Sequence, residues 1–389
     1  MLNNLKFAVS FLMAALILSC NHNPKVKEII KTSDSTSVKH VNTTMVIDTT
    51  TDALASFISG MPYNKNECFS KVDSAAKWNQ YSKQIDILFS HAYSLRFEKV
   101  KEWANSELIK TQKIKTLFYP FGGPDFLNAN IFYPEADKYI LIGLEPIGYL
   151  PDICNMIPDS VNSYLNSVNY ALRDIFKRSY FITSKMDKDL RKTKLNGTLP
   201  LISFFIKRTG HQIVSIQRIA VDSMGKLQII DSLKSKENIV AGVKVDFLSL
   251  SKEKVQSVYY FRTDLSDKGL AKKPGFKTYL SELPESYTYL KAASYLMHND
   301  NFKIIRSIIF NTSSTILQDD SGIAYKYFDK SEWNIKLYGK YSKPRDEFSY
   351  ISEPDLEKAY KSSEHKQLPY SLGYNWGTDH TSMLYAIKK

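Results

Sequence analysis

Five side chains in this sequence could carry proton or metal chemistry if folding gathered them: Asp125, Glu145, His298 and the adjacent pair Asp319 and Asp320. Carboxylates alone can run glycoside or metal-assisted hydrolysis, and a histidine beside them adds a group that titrates near neutrality. The four acids sit where strands are expected to end. Asp125 follows the turn in FYPFGGPD, Glu145 closes DKYILIGLEP, and Asp319 and Asp320 stop the apolar run STILQ before Ser321-Gly322. His298 lies near an expected helix end, with Asn299 and Asp300 behind it. Each acid also has an ordinary structural role open to it: Asp125 as a helix cap, Glu145 as the partner of a lysine, and Asp319-Asp320 as a polar turn.

These residues need elements to place them. KIKTLFYPFGG is a short aromatic-rich apolar run that suits a buried strand. Gly122-Gly123 permits a tight turn, Pro124 and Asp125 suit the first turn of a helix, and Pro134 closes that helix after FLNANIFY. DKYILIGLEP is a second buried strand. Strand, turn, helix and strand within about 30 residues make a βαβ unit with parallel strands. Helices are expected over residues 66 to 109, where Trp78, Tyr81, Ile85, Leu88 and Phe89 form a stripe with His91 near it, and over SVNSYLNSVNYALRDIFKRSYF. From Leu199 to Leu265 the pattern alternates and breaks at Thr209-Gly210 and Met224-Gly225, which predicts antiparallel strands with His211 exposed at a turn. Helices return from FKTYLSELPESYTYLKAASYLMH to RSIIF, and LPYSLGYNWGTDHTSMLYAIKK reads as a terminal antiparallel strand pair. The expected fold class is α/β: a Rossmann-like mixed sheet with helices on both faces, a β-rich insertion at about 199–265 and a C-terminal antiparallel pair.

The FGGPD turn resembles a dinucleotide or S-adenosylmethionine loop and then departs from it. A phosphate cradle needs spaced glycines, whereas here one adjacent pair is followed by a proline that removes a backbone N–H. No cofactor is expected, and no metal. There is no G-x-S-x-G elbow, Walker loop, H-E-x-x-H or Cys/His cluster.

The N-terminus reads MLNNLKFAVSFLMAALILSCNHNP. Its apolar stretch is shorter than the roughly 20 residues a bilayer core needs, so it predicts a signal peptide over residues 1–19. The junction Ile17-Leu18-Ser19-Cys20 resembles the lipobox of bacterial lipoproteins. That resemblance implies cleavage before Cys20, acylation of Cys20 with palmitate-like chains, and an outer-membrane site facing the periplasm. Residues 20–52, rich in Ser and Thr, predict a flexible tether, and 53–389 a single α/β body. With Cys20 acylated, Cys68 and Cys154 are left as a possible disulfide pair in an oxidising compartment. The net charge of +12 comes from scattered lysines, which favours a solvated surface or an anionic envelope component as partner over nucleic acid. The sequence sets no oligomeric state.

The segments YPFGGPD, LIGLEP, KAASYLMH, LQDDSG and LPYSLGYNW, in this order, resemble a group of exported proteins, often lipoproteins, from Bacteroides-like bacteria. The resemblance implies class and location but no reaction. Two functions follow as expectations: binding of a ligand or envelope partner in an α/β cleft, or carboxylate-dependent hydrolysis with Asp125, Glu145, His298, Asp319 and Asp320 lining one pocket.

Overall fold

Residues alternate along the strands between two apolar faces. Leu117 and Tyr119, Tyr139 and Leu141, and Met383 and Tyr385 enter one core cluster, while Phe118, Ile140, Ile142, Leu384 and Ala386 enter the other. This period of two places a sheet between two layers of helices. The computed structural model describes residues 47–63, 69, 77–108, 113–181, 195–231, 238–251, 253–344 and 346–389, all within one compact unit.

The ten strands are β1 (Thr116–Tyr119), β2 (Lys138–Gly143), β3 (Gln212–Val221), β4 (Leu227–Ile229), β5 (Val240–Leu248), β6 (Val255–Arg262), β7 (Ser286–Leu290), β8 (Ser313–Asp319), β9 (Trp333–Gly339) and β10 (Ser382–Lys388). They form one sheet in the order β4-β3-β5-β6-β2-β1-β7-β8-β10-β9. The inner five, β6-β2-β1-β7-β8, are parallel, and both flanks are antiparallel. The chain runs outward from β1 through β2 to β6, then returns to the other side of β1 with β7 and β8, the order of a Rossmann-like fold. The fold class read from the sequence therefore holds.

Helices α1 (Thr49–Ile58), α2 (Trp78–Ala92), α3 (Glu98–Glu107), α4 (Phe126–Phe132), α5 (Pro158–Arg178) and α6 (Leu199–Arg208) supply one face; α7 (Asp267–Ala271), α8 (Pro274–Ser281) and α9 (Lys303–Thr312) supply the other. Helix α10 (Pro354–Ser362) follows β9. In α5, Val161, Tyr164, Leu165, Val168, Leu172 and Ile175 are buried at three- and four-residue spacing. Pro158 starts that helix, and Ser179 ends it in the left-handed conformation, with φ 68°.

Several local expectations are corrected. Leu199–Arg208 is a helix and not a strand: its apolar residues run on without alternation, Pro200 stands in its first turn, and Lys207 and Arg208 face the carboxyl end of its dipole. The β-rich stretch is antiparallel as expected through β4-β3-β5-β6, and it continues the main sheet because β6 pairs parallel with β2. Ser286–Leu290, read as helical, is the parallel strand β7, which suits its aromatic and β-branched SYTYL. The last strand, β10, pairs antiparallel with β8 and β9, both far upstream of Leu368–Leu372, which forms no strand. His91 is exposed, and His211 is buried between the rings of Phe126 and Phe247 with its pKa pushed down to about 4 by burial. Cys154 is disulfide-bonded. Its expected partner Cys68, the acylation residue Cys20 and the tether up to Val46 lie outside the described residues.

Candidate functional site

In a doubly wound sheet the loops diverge where the strand order reverses, leaving a crevice beyond the carboxyl ends of the strands. Here the reversal falls between β1 and β7, and a cleft of about 600 Å³ opens there. Its walls come from the turn after β1, the residues after β2, and the loop Lys291–Ser294 after β7.

The first wall is the FGGPD turn. Gly123 donates its N–H to Ile142 O at 3.1 Å, and Asp125 N donates to Gly122 O at 3.2 Å. Asp125 caps α4, its carboxylate accepting from Asn128 N at 3.1 Å. The turn's N–H groups therefore serve the fold, and the helix start already holds a carboxylate where a phosphate would rest.

Asp125 is also the anchor of the site. Lys291 Nζ lies 2.6 Å from Asp125 Oδ2, with both side chains almost fully buried. The same ammonium donates to Ser179 O, at the end of α5, and Tyr119 OH donates to Asp125 at 3.1 Å. One buried ion pair thus joins β1, α4, α5 and β7. Burial lowers the Lys291 pKa, and the adjacent Asp125 opposes that shift.

Glu145 forms part of the second wall. It is buried, and Tyr260 OH donates to its backbone oxygen at 2.9 Å. Its carboxylate lies directly against Gly143. A Cβ on Gly143 would meet Glu145 Oε2, sit 2.8 Å from Tyr260 OH and 3.0 Å from Gly123 Cα. Gly143→Ala is expected to displace Glu145 and the glycine turn together, costing about 1–3 kcal/mol by overpacking. Urea unfolding would measure it, and an unchanged midpoint would show that this wall can yield.

The third wall is strained. Ala292, Ser294 and Tyr295 have φ of 49°, 54° and 54°, and Phe121 and Ser179, also at the cleft, have 65° and 68°. Non-glycine residues adopt this region at a cost and only where surroundings impose it. The imposing groups are the end of β8. Asp319 accepts from Ala292 N at 2.9 Å, Ser321 Oγ accepts from Ala293 N at 2.7 Å, Ser321 O accepts from Tyr295 N at 3.1 Å, and Tyr295 OH donates to Asp320 at 2.6 Å.

The five candidates therefore fall into two groups. Asp125 and Glu145 line the cleft; Asp319 and Asp320 stand behind its β7 wall and shape it, and His298 faces away, its Nε2 3.0 Å from Glu353 Oε1. Burial raises the pKa of Asp319, and burial with Asp319 beside it pushes Asp320 up to about 7. Glu353 is pushed up to about 8 by burial and His298 down to about 4 by burial, so near neutrality the pair is a carboxylic acid beside a neutral imidazole. No group of three or more His, Cys, Asp and Glu among the described residues could hold a metal ion.

Sequence reasoning missed Lys291, Ser321, Glu353 and the aromatic rim. Phe121, Phe302, Phe348 and Tyr374 line the cleft, with Phe121 and Phe302 ring centroids 6.0 Å apart and Phe348 and Tyr374 4.7 Å apart. Tyr374 OH donates to Ala292 O at 3.0 Å, tying the rim to the strained loop. Lys291 stands in the quoted segment KAASYLMH, but recognising it required seeing β7 as a strand.

Compared with protein families, with curated proteins and with solved structures, the chain finds no match in any of the three.

Proposed function

We propose that this protein is a lipid-anchored protein of the cell envelope whose α/β body binds a small amphipathic ligand in the cleft between β1 and β7. The observation that carries the reading is the position and lining of that cleft: it lies at the reversal of strand order, has half-buried rings and exposed Leu144 on its walls, buries the Lys291–Asp125 pair and Glu145 at its floor, and carries exposed Asp264 and Glu347 on its lining. The apolar portion of the ligand packs on Phe121, Phe302 and Tyr374, and a hydroxyl or amine donor turns toward Glu145. The hydrolase reading with all five candidates in one pocket loses support, since His298, Asp319 and Asp320 do not line the cleft and the Asp125 carboxylate is held in a buried ion pair with Lys291.

The neutral dye N-phenyl-1-naphthylamine tests the cleft. One-to-one fluorescence enhancement is expected, with affinity reduced at least about tenfold by Leu144→Glu combined with Phe302→Ala, equivalent to about 1.4 kcal/mol. Equal binding by that variant would reject the cleft. For the anchor, Cys20→Ala is expected to move the protein from the membrane to the soluble fraction; continued metabolic labelling of the variant with palmitate would reject lipidation at Cys20.

A further inference from the structure

Strand β9 is an outer strand of the sheet, paired on one side only, with β10. Its other edge is covered at one end, where Gly339 N donates to Lys366 O at 2.7 Å and Tyr338 bridges Lys366 in parallel. Among the described residues, no other ladder partner takes the edge along Asn334–Leu337. That edge is the floor of a groove of about 700 Å³, walled by the chain around Lys326 and Lys330 and by α10 with the segment that follows it.

The groove is basic. Lys326, Lys330, Lys336, Lys358 and Lys366 line it, and Lys366 is paired with Glu107 at 2.5 Å. The other four make no ion pair among the described residues, and Asp355 and Glu364 are the remaining acids of the lining. Along β9 the side chains alternate: Asn334 and Lys336 are exposed, and Ile335 and Leu337 are half-buried against the core cluster on their face. A strand added at this edge would place its own side chains on the same two faces, opposite these.

We propose that the β9 edge is a docking site for an extended peptide segment of a partner protein in which acidic and apolar residues alternate, added to the sheet as its next strand. Main-chain hydrogen bonds to Asn334–Leu337 supply the attachment. Carboxylates opposite Lys336 and apolar side chains opposite Ile335 and Leu337 set the register. An exposed lysine on an edge strand also serves to prevent edge-to-edge pairing between copies. That role predicts a different result in the following experiment.

Full-length protein is titrated into a fluorescein-labelled peptide of alternating Glu and Val, and anisotropy is read. Saturable binding that weakens with salt is expected. Lys336→Glu, a change at an exposed position, should weaken it at least about tenfold while raising affinity for the corresponding Lys-Val peptide. A Glu-Val peptide N-methylated at alternate residues should not bind, and hydrogen exchange at Asn334–Leu337 should slow only with the unmodified peptide. Equal binding of the N-methylated peptide would overturn the proposal in favour of charge attraction alone. Binding of dextran sulfate with no peptide binding up to about 1 mM would assign the groove to polysaccharide instead. Concentration-dependent self-association of Lys336→Ala, again without peptide binding, would identify Lys336 as an edge guard only.

Discussion

Lys291→Met is expected to lower the unfolding free energy by about 3–5 kcal/mol, because it leaves the Asp125 carboxylate buried without its cation. Few surface ion pairs approach this value, since water screens them. Here both side chains are only 2–3% exposed, and the lysine also satisfies Ser179 O. Removing it unties the ends of β7 and α5 from the start of α4. Asp125→Asn keeps a capping oxygen for Asn128 N and removes the charge, so the double variant should be less destabilised than the sum of the singles by at least about 1 kcal/mol. Urea unfolding of the four proteins measures this. A cost below about 1 kcal/mol for Lys291→Met would mean that the pair is dispensable to the fold. Because the pair lies at the cleft floor, naphthylamine affinity should fall with it.

The second large effect is on the pH dependence of stability. Asp320 and Glu353 have folded-state pKa values of about 7 and about 8, both above their ordinary carboxyl values. A raised folded pKa contributes stability that is fully present below the unfolded pKa and is lost as pH rises through the folded one. Stability should therefore fall from about pH 4, where the unfolded carboxyls ionise, to about pH 8, where the folded ones have done so, by several kcal/mol in total, given about 1.36 kcal/mol per unit of pKa difference. Glu353→Gln, which cannot ionise, should flatten the upper part of that decline. His298 acts in the opposite sense: its folded pKa is lowered to about 4, so its contribution is present above its unfolded value and is lost as pH falls through about 4. Thermal unfolding from pH 4 to pH 9 tests both limbs. A midpoint for the wild-type protein that holds steady from pH 5 to pH 8 would contradict the assignment of protons to Asp320 and Glu353. The loop after β7 hangs on Asp320 through Tyr295, so naphthylamine binding should weaken as pH rises through about 7.

The central βαβ unit was legible in the sequence because its signals are local. An aromatic strand, two glycines, Pro124, the capping Asp125 and Pro134 each fix backbone at their own position. Helix α6 and strand β7 were misread for a shared reason. Both are apolar on all sides because they are buried on all sides, and without alternation or a stripe the period is lost. The site was legible only in part for the same physical reason. Asp125 and Glu145 follow strands whose ends the sequence marks, so the cleft drew them together. Asp319 and Asp320 also end a strand, but their partners are N–H groups of a left-handed loop that nothing in KAASYL announces. The Lys291–Asp125 pair spans 166 residues, and Glu353 meets His298 from the turn before α10. Such pairings depend on the strand order, which no local pattern encodes.

The first described residues enter the body beside β3: Asp48 N donates to Val214 O at 3.0 Å, and Asp52 pairs with Lys207 and accepts from Ile213 N. From β3 to β9 the sheet order counts eight strand spacings, roughly 40 Å at about 4.8 Å each. The body therefore has a near end and a far end. The chain enters the described body on the β3 side, and the open edge of β9 lies at the opposite end of the sheet, with the cleft midway.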